Sequence, residues 1–227
     1  MVLSRIQAGL LDYKKWLLGL RQHPAAYKWE TVRQFQLHWD FKAADPAQMY
    51  EQSLQNSETR RLWQTERWEP KRVLTDFWRF EPATVRALFE DLFNESFAVE
   101  NRASRFIFGC DALLADYKRA YPLVVVNNHY HGDYRMIALY LGCRYPETYA
   151  FYDLEIFRAA LIRLQARDIP EVHDLARYFK VLRTLMSFIE KDPELGAALQ
   201  RFLLPHRHYR DRSLLFAEDF CQFLARR

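Results

Sequence analysis

The 227-residue chain is 50% hydrophobic, 16% aromatic and 27% charged, and 33 Lys+Arg against 29 Asp+Glu give it a formal charge of +4. A chain of this length buries roughly 70% of its unfolded surface and needs no staples to fold, and its apolar content excludes disorder. With 6 Gly and 9 Pro it is neither fibrous nor low-complexity, and the small net charge leaves nucleic acid open without pointing to it.

Helical spacing dominates the chain from its start. Leu3, Ile6, Leu10, Tyr13, Leu17 and Leu20 recur every three or four residues, which places them on one helical face. Asp45-Pro46-Ala47-Gln48 supplies a capping carboxylate, a proline at the first helical position and a capping-box glutamine. Asp192-Pro193 repeats that logic, and Glu69-Pro70 and Glu81-Pro82 read as helix starts with a less favoured cap. Phe106, Cys110, Leu113, Leu114 and Tyr117 form a second apolar face, and Leu154, Phe157, Leu161 and Leu164 a third. The clearest is Leu175, Tyr178, Phe179, Leu182, Leu185, Met186 and Ile189. Tyr121-Pro122, Tyr145-Pro146 and Ile169-Pro170 read as stops or restarts.

The expectation is an all-α domain of about ten helices, each of normal globular length. They begin near residues 2, 29, 46, 70, 82, 101, 133, 153, 174 and 211, with shorter turns near 58 and 194. Leu123-Val124-Val125-Val126 is the one strand-like run, and without a partner it builds no sheet. The chain reads as a single domain over 1–227, with a subdomain joint expected near 94–101 at Asn94-Glu95-Ser96. Cys110, Cys143 and Cys221 are isolated, so no zinc ribbon or redox dithiol is signalled and buried reduced thiols are expected. Arg5 and Asp12 interrupt the first apolar run, and no stretch approaches ~18 uncharged apolar residues, so the expectation is a cytoplasmic chain without a membrane span.

The sequence holds no P-loop, no G-x-G-x-x-G, no G-x-S-x-G and no H-E-x-x-H. Three polar constellations remain. Asn127 to Arg135 carries Asn128, His129, His131, Asp133 and Arg135, and a second H-x-H occurs at His206 and His208. Imidazoles with a carboxylate suit zinc, iron or manganese. Such spacing is common by chance, and the favoured reading is a polar structural or partner-contact turn. In it Asp133 caps the next helix, the histidines bond backbone carbonyls, and no metal or other cofactor is held. Ser57 to Arg72 interleaves Arg60, Arg61, Arg67, Lys71 and Arg72 with Trp63 and Trp68, a mixture able to grip phosphates and stack on bases. Three glutamates dilute it, and a solvated helix face with its indoles in the core is the simpler alternative. Arg201 to Arg212, with Arg207, Arg210 and Arg212, reads as an exposed basic loop before the last helix.

Tyr27-Lys28-Trp29-Glu30, Ser53-Leu54-Gln55-Asn56-Ser57, Asn127 to Met136 and Ala166-Arg167-Asp168-Ile169-Pro170 together resemble the N-terminal, non-motor region of McrB-type restriction proteins. Those are AAA+ GTPases linked to cleavage of modified DNA. The resemblance implies a target-selecting region whose motor, with its P-loop, is absent here, and it carries over no catalytic residue. The expected function is a non-enzymatic recognition or adaptor module that binds DNA or an AAA+ partner. Its rivals are a metal-dependent enzyme using both H-x-H segments and a purely structural helical scaffold.

Overall fold

The computed structural model describes residues 1–55, 58, 60–64 and 68–227. Among these the regular structure is helical throughout, with no strand. Twelve helices follow in order: α1 (Leu3–Gly19), α2 (Tyr27–His38), α3 (Pro46–Ser53), α4 (Arg60–Trp63), α5 (Pro70–Phe80), α6 (Pro82–Leu92), α7 (Val99–Ala120), α8 (Arg135–Arg144), α9 (Leu154–Arg163), α10 (Leu175–Ile189), α11 (Pro193–Gln200) and α12 (Leu215–Ala225). The expected ten become twelve because the turns near 58 and 194 are helices, a single turn at α4 and a full two turns at α11. Leu123–Val126 forms no strand among the described residues, and Leu123 and Val125 stand 95% and 85% exposed.

The caps follow the chemistry of their residues. Asp45 Oδ1 accepts from the Gln48 amide at 2.9 Å and Asp192 Oδ1 from the Leu195 amide at 3.1 Å, each ahead of a proline at the first helical position. At α5 and α6 the prolines sit in place, but Glu69 and Glu81 make no side-chain cap. Asp133 departs from its expected role. Its carboxylate accepts from the Arg135 amide at 3.0 Å, but the capping position itself is Tyr134, in the left-handed region at φ 61°.

Two helices are buried nearly all round and form the middle of the packing. Every residue of α8 from Met136 to Cys143 is buried, and α8 packs on α2 and α4. Leu215 to Cys221 of α12 are buried in an unbroken run, and α12 packs on α9, α10 and α1. One buried apolar cluster takes residues from Ile6 to Leu224 and includes both sides of the 94–101 stretch. That stretch is a tight turn in which Asn94 Oδ1 accepts from the Ser96 amide, and the helices it joins, α6 and α7, pack on each other. Trp29, Trp39 and Trp78 are buried, while Trp16, Trp63 and Trp68 are half-buried. No described helix is long and apolar enough to cross a membrane.

Candidate functional site

α1, the α1–α2 connection, the start of α2 and α12 share a buried polar network. Burying two adjacent carboxylates, Glu218 and Asp219, is costly unless each is paired. Lys28 Nζ donates to both Glu218 oxygens at 2.7 Å, and Gln222 adds a third bond at 2.7 Å. Asp219 Oδ2 accepts from the Tyr13 hydroxyl at 2.5 Å and lies 3.1 Å from His23 Nε2. His23 Nδ1 accepts from the Ala25 amide at 3.2 Å, which assigns the ring proton to Nε2. Burial raises the Glu218 carboxyl above its ordinary value against the pull of Lys28. Burial pushes Asp219 the same way, but His23, Lys28 and Tyr13 together outweigh it and hold Asp219 below the ordinary carboxylate range.

His23 also lines a cavity of about 650 Å³ open to the surface. Its walls come from the α1–α2 connection, the start of α2, Glu58 and Arg61 near α4, and the loop after α11. Four arginines meet there: Arg21, Arg61, Arg201 and Arg207, against Glu30 and Glu58. Arg201 is committed, since its Nη2 donates to the carbonyls of Leu17, Leu18 and Leu20 at 2.6, 3.0 and 3.1 Å and closes the C-terminus of α1. Arg207 pairs with Glu30 at 2.7 Å and Arg61 with Glu58 at 2.8 Å. The Arg61–Glu58 pair is exposed and worth about 0–1 kcal/mol, so an anion of higher charge can displace it, whereas Glu30 is only 15% exposed. Arg21 makes no ion pair among the described residues.

The other expected cationic residues are distributed elsewhere. Arg60, Lys71 and Arg72 line a second cavity of about 400 Å³ together with Glu51, Glu69 and Trp63. Lys71 is partly withdrawn from solvent, with Nζ donating to the Glu51 carbonyl at 2.9 Å and lying 5.4 Å from the Trp63 ring centroid. Burial lowers the Lys71 ammonium below its usual range. Arg210 and Arg212 face a third cavity, of about 360 Å³, that includes Trp29, Ile189, Leu199 and Phe216. There Arg212 pairs with Glu190 at 2.7 Å. Arg67 lies outside the described residues. The 201–212 loop keeps Arg207, Arg210 and Arg212 exposed, as its composition suggests, but it is anchored at His208 and Tyr209. His208 is buried, its Nδ1 accepts from the Leu204 amide at 2.8 Å, and the Tyr209 amide donates to the Trp29 carbonyl at 3.0 Å.

The Asn127–Arg135 turn has separate surroundings. Asn128 Oδ1 accepts from the Tyr130 amide at 2.5 Å. Arg135 bridges Asp133 and Asp153 at 3.6 and 3.0 Å. His129 and His131 point inward and are buried, and His131 Nδ1 lies 2.7 Å from the His129 carbonyl, the backbone bond expected of a structural turn. Burial, assisted by His129, pushes the His131 imidazole down to about 3, so it is neutral at physiological pH. The neighbours of these rings are Cys110, Asp111 and Tyr140, whereas His208 sits in the arginine-lined cavity. The two H-x-H segments are not one site.

Comparison with protein-family models, with curated proteins and with solved structures returns no match. The site therefore rests on its own geometry. Arg21, His23 and Asp219 carried no sequence signal, because isolated single residues form no pattern until α1, α2 and α12 pack together.

Proposed function

We propose that the chain is a non-enzymatic recognition module that takes the phosphate backbone of duplex DNA at the cavity ringed by Arg21, Arg61 and Arg207. The observation that carries this reading is the convergence of arginines from three separate parts of the chain on one opening. Arginine presents a planar fork of donors that suits phosphate oxygens. The buried His23–Asp219 pair and the Arg201 clamp on α1 hold the walls, and the rim arginines stand on the α1–α2 connection, α4 and the loop after α11. A DNA target also agrees with the McrB-type resemblance, in which the N-terminal region selects the target for a separate motor.

Phosphate contacts position a protein without reading sequence. Binding through this rim should therefore be tolerant of sequence and steeply salt-dependent. Three contacts correspond to a slope of about −2.7 in log K against log salt on duplex DNA. Fluorescence anisotropy of a labelled duplex across salt concentrations tests it. No binding at low salt would leave docking to an AAA+ partner as the better reading.

A further inference from the structure

We infer that Cys110, His129 and His131 form a binding site for a zinc(II) ion, with Asp111 and Tyr140 as the groups that orient the two imidazoles. This is independent of the DNA reading, since none of these residues lines the arginine-ringed cavity.

One ligand atom from each of the three side chains lies within 4.8 Å of the others, and all three side chains are buried. The two Nδ1 atoms face each other at 3.2 Å. Tetrahedral zinc with Zn–N bonds of 2.0–2.1 Å needs its nitrogens about 3.3 Å apart, so the imidazole pair is already at ligating distance. A zinc-bound sulfur belongs about 3.6 Å from each nitrogen, and Cys110 Sγ lies within 4.8 Å of one ring nitrogen of each imidazole. Cys110 Sγ has no hydrogen-bond partner among the described residues.

The surrounding groups suit a metal. His129 Nε2 is 2.8 Å from Asp111 Oδ1, which gives the carboxylate–histidine arrangement that fixes a ligating ring. His131 Nε2 is 3.2 Å from the Tyr140 hydroxyl, which is 2.8 Å from the Tyr50 hydroxyl. With zinc on both Nδ1 atoms, each distal N–H has an acceptor: Asp111 for His129 and Tyr140 for His131. Charge also balances, since zinc(II), one thiolate and the Asp111 carboxylate sum to zero. Cys110 gives its thiol proton to solvent, and the His131 proton on Nδ1 is exchanged for one on Nε2. What the ion displaces is modest: the His131 Nδ1 bond to the His129 carbonyl and a 3.3 Å contact from the His131 amide to His129 Nδ1.

The backbone supports the same reading. Tyr130 and Tyr134 both adopt left-handed φ, 62° and 61°, bracketing His131. Conformations that tyrosine rarely takes persist where the surroundings hold them, and they cluster at ligand sites. Here they turn both imidazoles inward toward α7, with the Phe106 ring 5.6 Å from His131 and Trp68 5.2 Å from Tyr130. Sulfur with two imidazoles selects zinc over magnesium or calcium, which take oxygen ligands.

The test uses the full chain without an affinity tag, stripped with a chelator and titrated with cobalt(II) and then zinc(II). One equivalent of cobalt should produce the visible bands of a tetrahedral site and a sulfur-to-cobalt charge-transfer band, both abolished by one equivalent of zinc. Cys110→Ala should lose the charge-transfer band, and Cys143→Ala should keep it. Asp111 is 64% exposed at its side chain, so Asp111→Asn should fold normally and weaken zinc about 10–100-fold through loss of the orienting carboxylate. Absence of the charge-transfer band in the unmodified chain, or its survival in Cys110→Ala, would overturn the assignment. Unchanged zinc affinity in Asp111→Asn would do so as well.

Discussion

The Lys28–Glu218 pair joins α2 to α12, and its side chains are only 2% and 5% exposed. Lys28→Met leaves Glu218 buried with Gln222 as its remaining partner. Removing one member of a buried pair costs about 3–5 kcal/mol, because the survivor is left desolvated and unpaired. Burial already pushes the Glu218 carboxyl upward, and losing Lys28 removes the main charge that opposes that push. Lys28→Met/Glu218→Leu removes both charges, and Gln222 is half-exposed and turns to water. The double variant should recover most of the loss, ending within about 1 kcal/mol of the parent or above it. Urea unfolding at pH 7 measures the parent, Lys28→Met, Glu218→Leu and the double variant, with the midpoint read at constant m. Against a total stability of about 5–15 kcal/mol, the single-variant shift is large. A loss under about 1 kcal/mol in Lys28→Met, or a double variant as unstable as the sum of the singles, would refute the coupling.

Further outcomes follow from single residues. Asp219 is held below the ordinary carboxylate range, so its contribution is complete above the unfolded value near pH 3.9 and is lost as pH falls through its folded value. Asp219→Asn should lower stability at pH 7 and flatten the loss below about pH 4, as read from urea midpoints against pH. Asp45→Ala should cost about 0.5–2 kcal/mol by leaving the Gln48 amide uncapped, measured by thermal unfolding. Leu123→Lys with Val125→Lys should change stability by no more than about 0.5 kcal/mol per site, because both side chains are already in water.

Much of the fold was legible because helical periodicity is a local property. All seven residues expected on the Leu175–Ile189 face are the buried residues of α10. The Asp45 and Asp192 caps needed only the four residues around them. α12 starts at Leu215 rather than near 211, and Ser213 and Leu214 just before it are already buried. The sites were less legible because they depend on meetings between distant segments. Cys110 reads as one more apolar position on α7, and only the inward turn of His129 and His131 brings it beside two imidazoles. Arg61 and Arg207 were each visible within a basic stretch, but their shared cavity depends on how the 201–212 loop packs against α2, through the Tyr209–Trp29 backbone bond and the Arg207–Glu30 pair. Composition placed Lys71 on a phosphate surface, but its ammonium goes to the Glu51 carbonyl, because α3 and α5 pack together.

The most direct test of the central claim compares salt slopes for duplex DNA among Arg61→Glu, Arg207→Glu, their double variant and Arg212→Glu, which lies on a different cavity. Each phosphate contact contributes about 0.9 to the slope. The account predicts that Arg61→Glu and Arg207→Glu each reduce the slope by about that amount, that the double variant reduces it by about twice as much, and that Arg212→Glu leaves it unchanged. Equal slopes in the parent and the double variant, or a loss confined to Arg212→Glu, would contradict it.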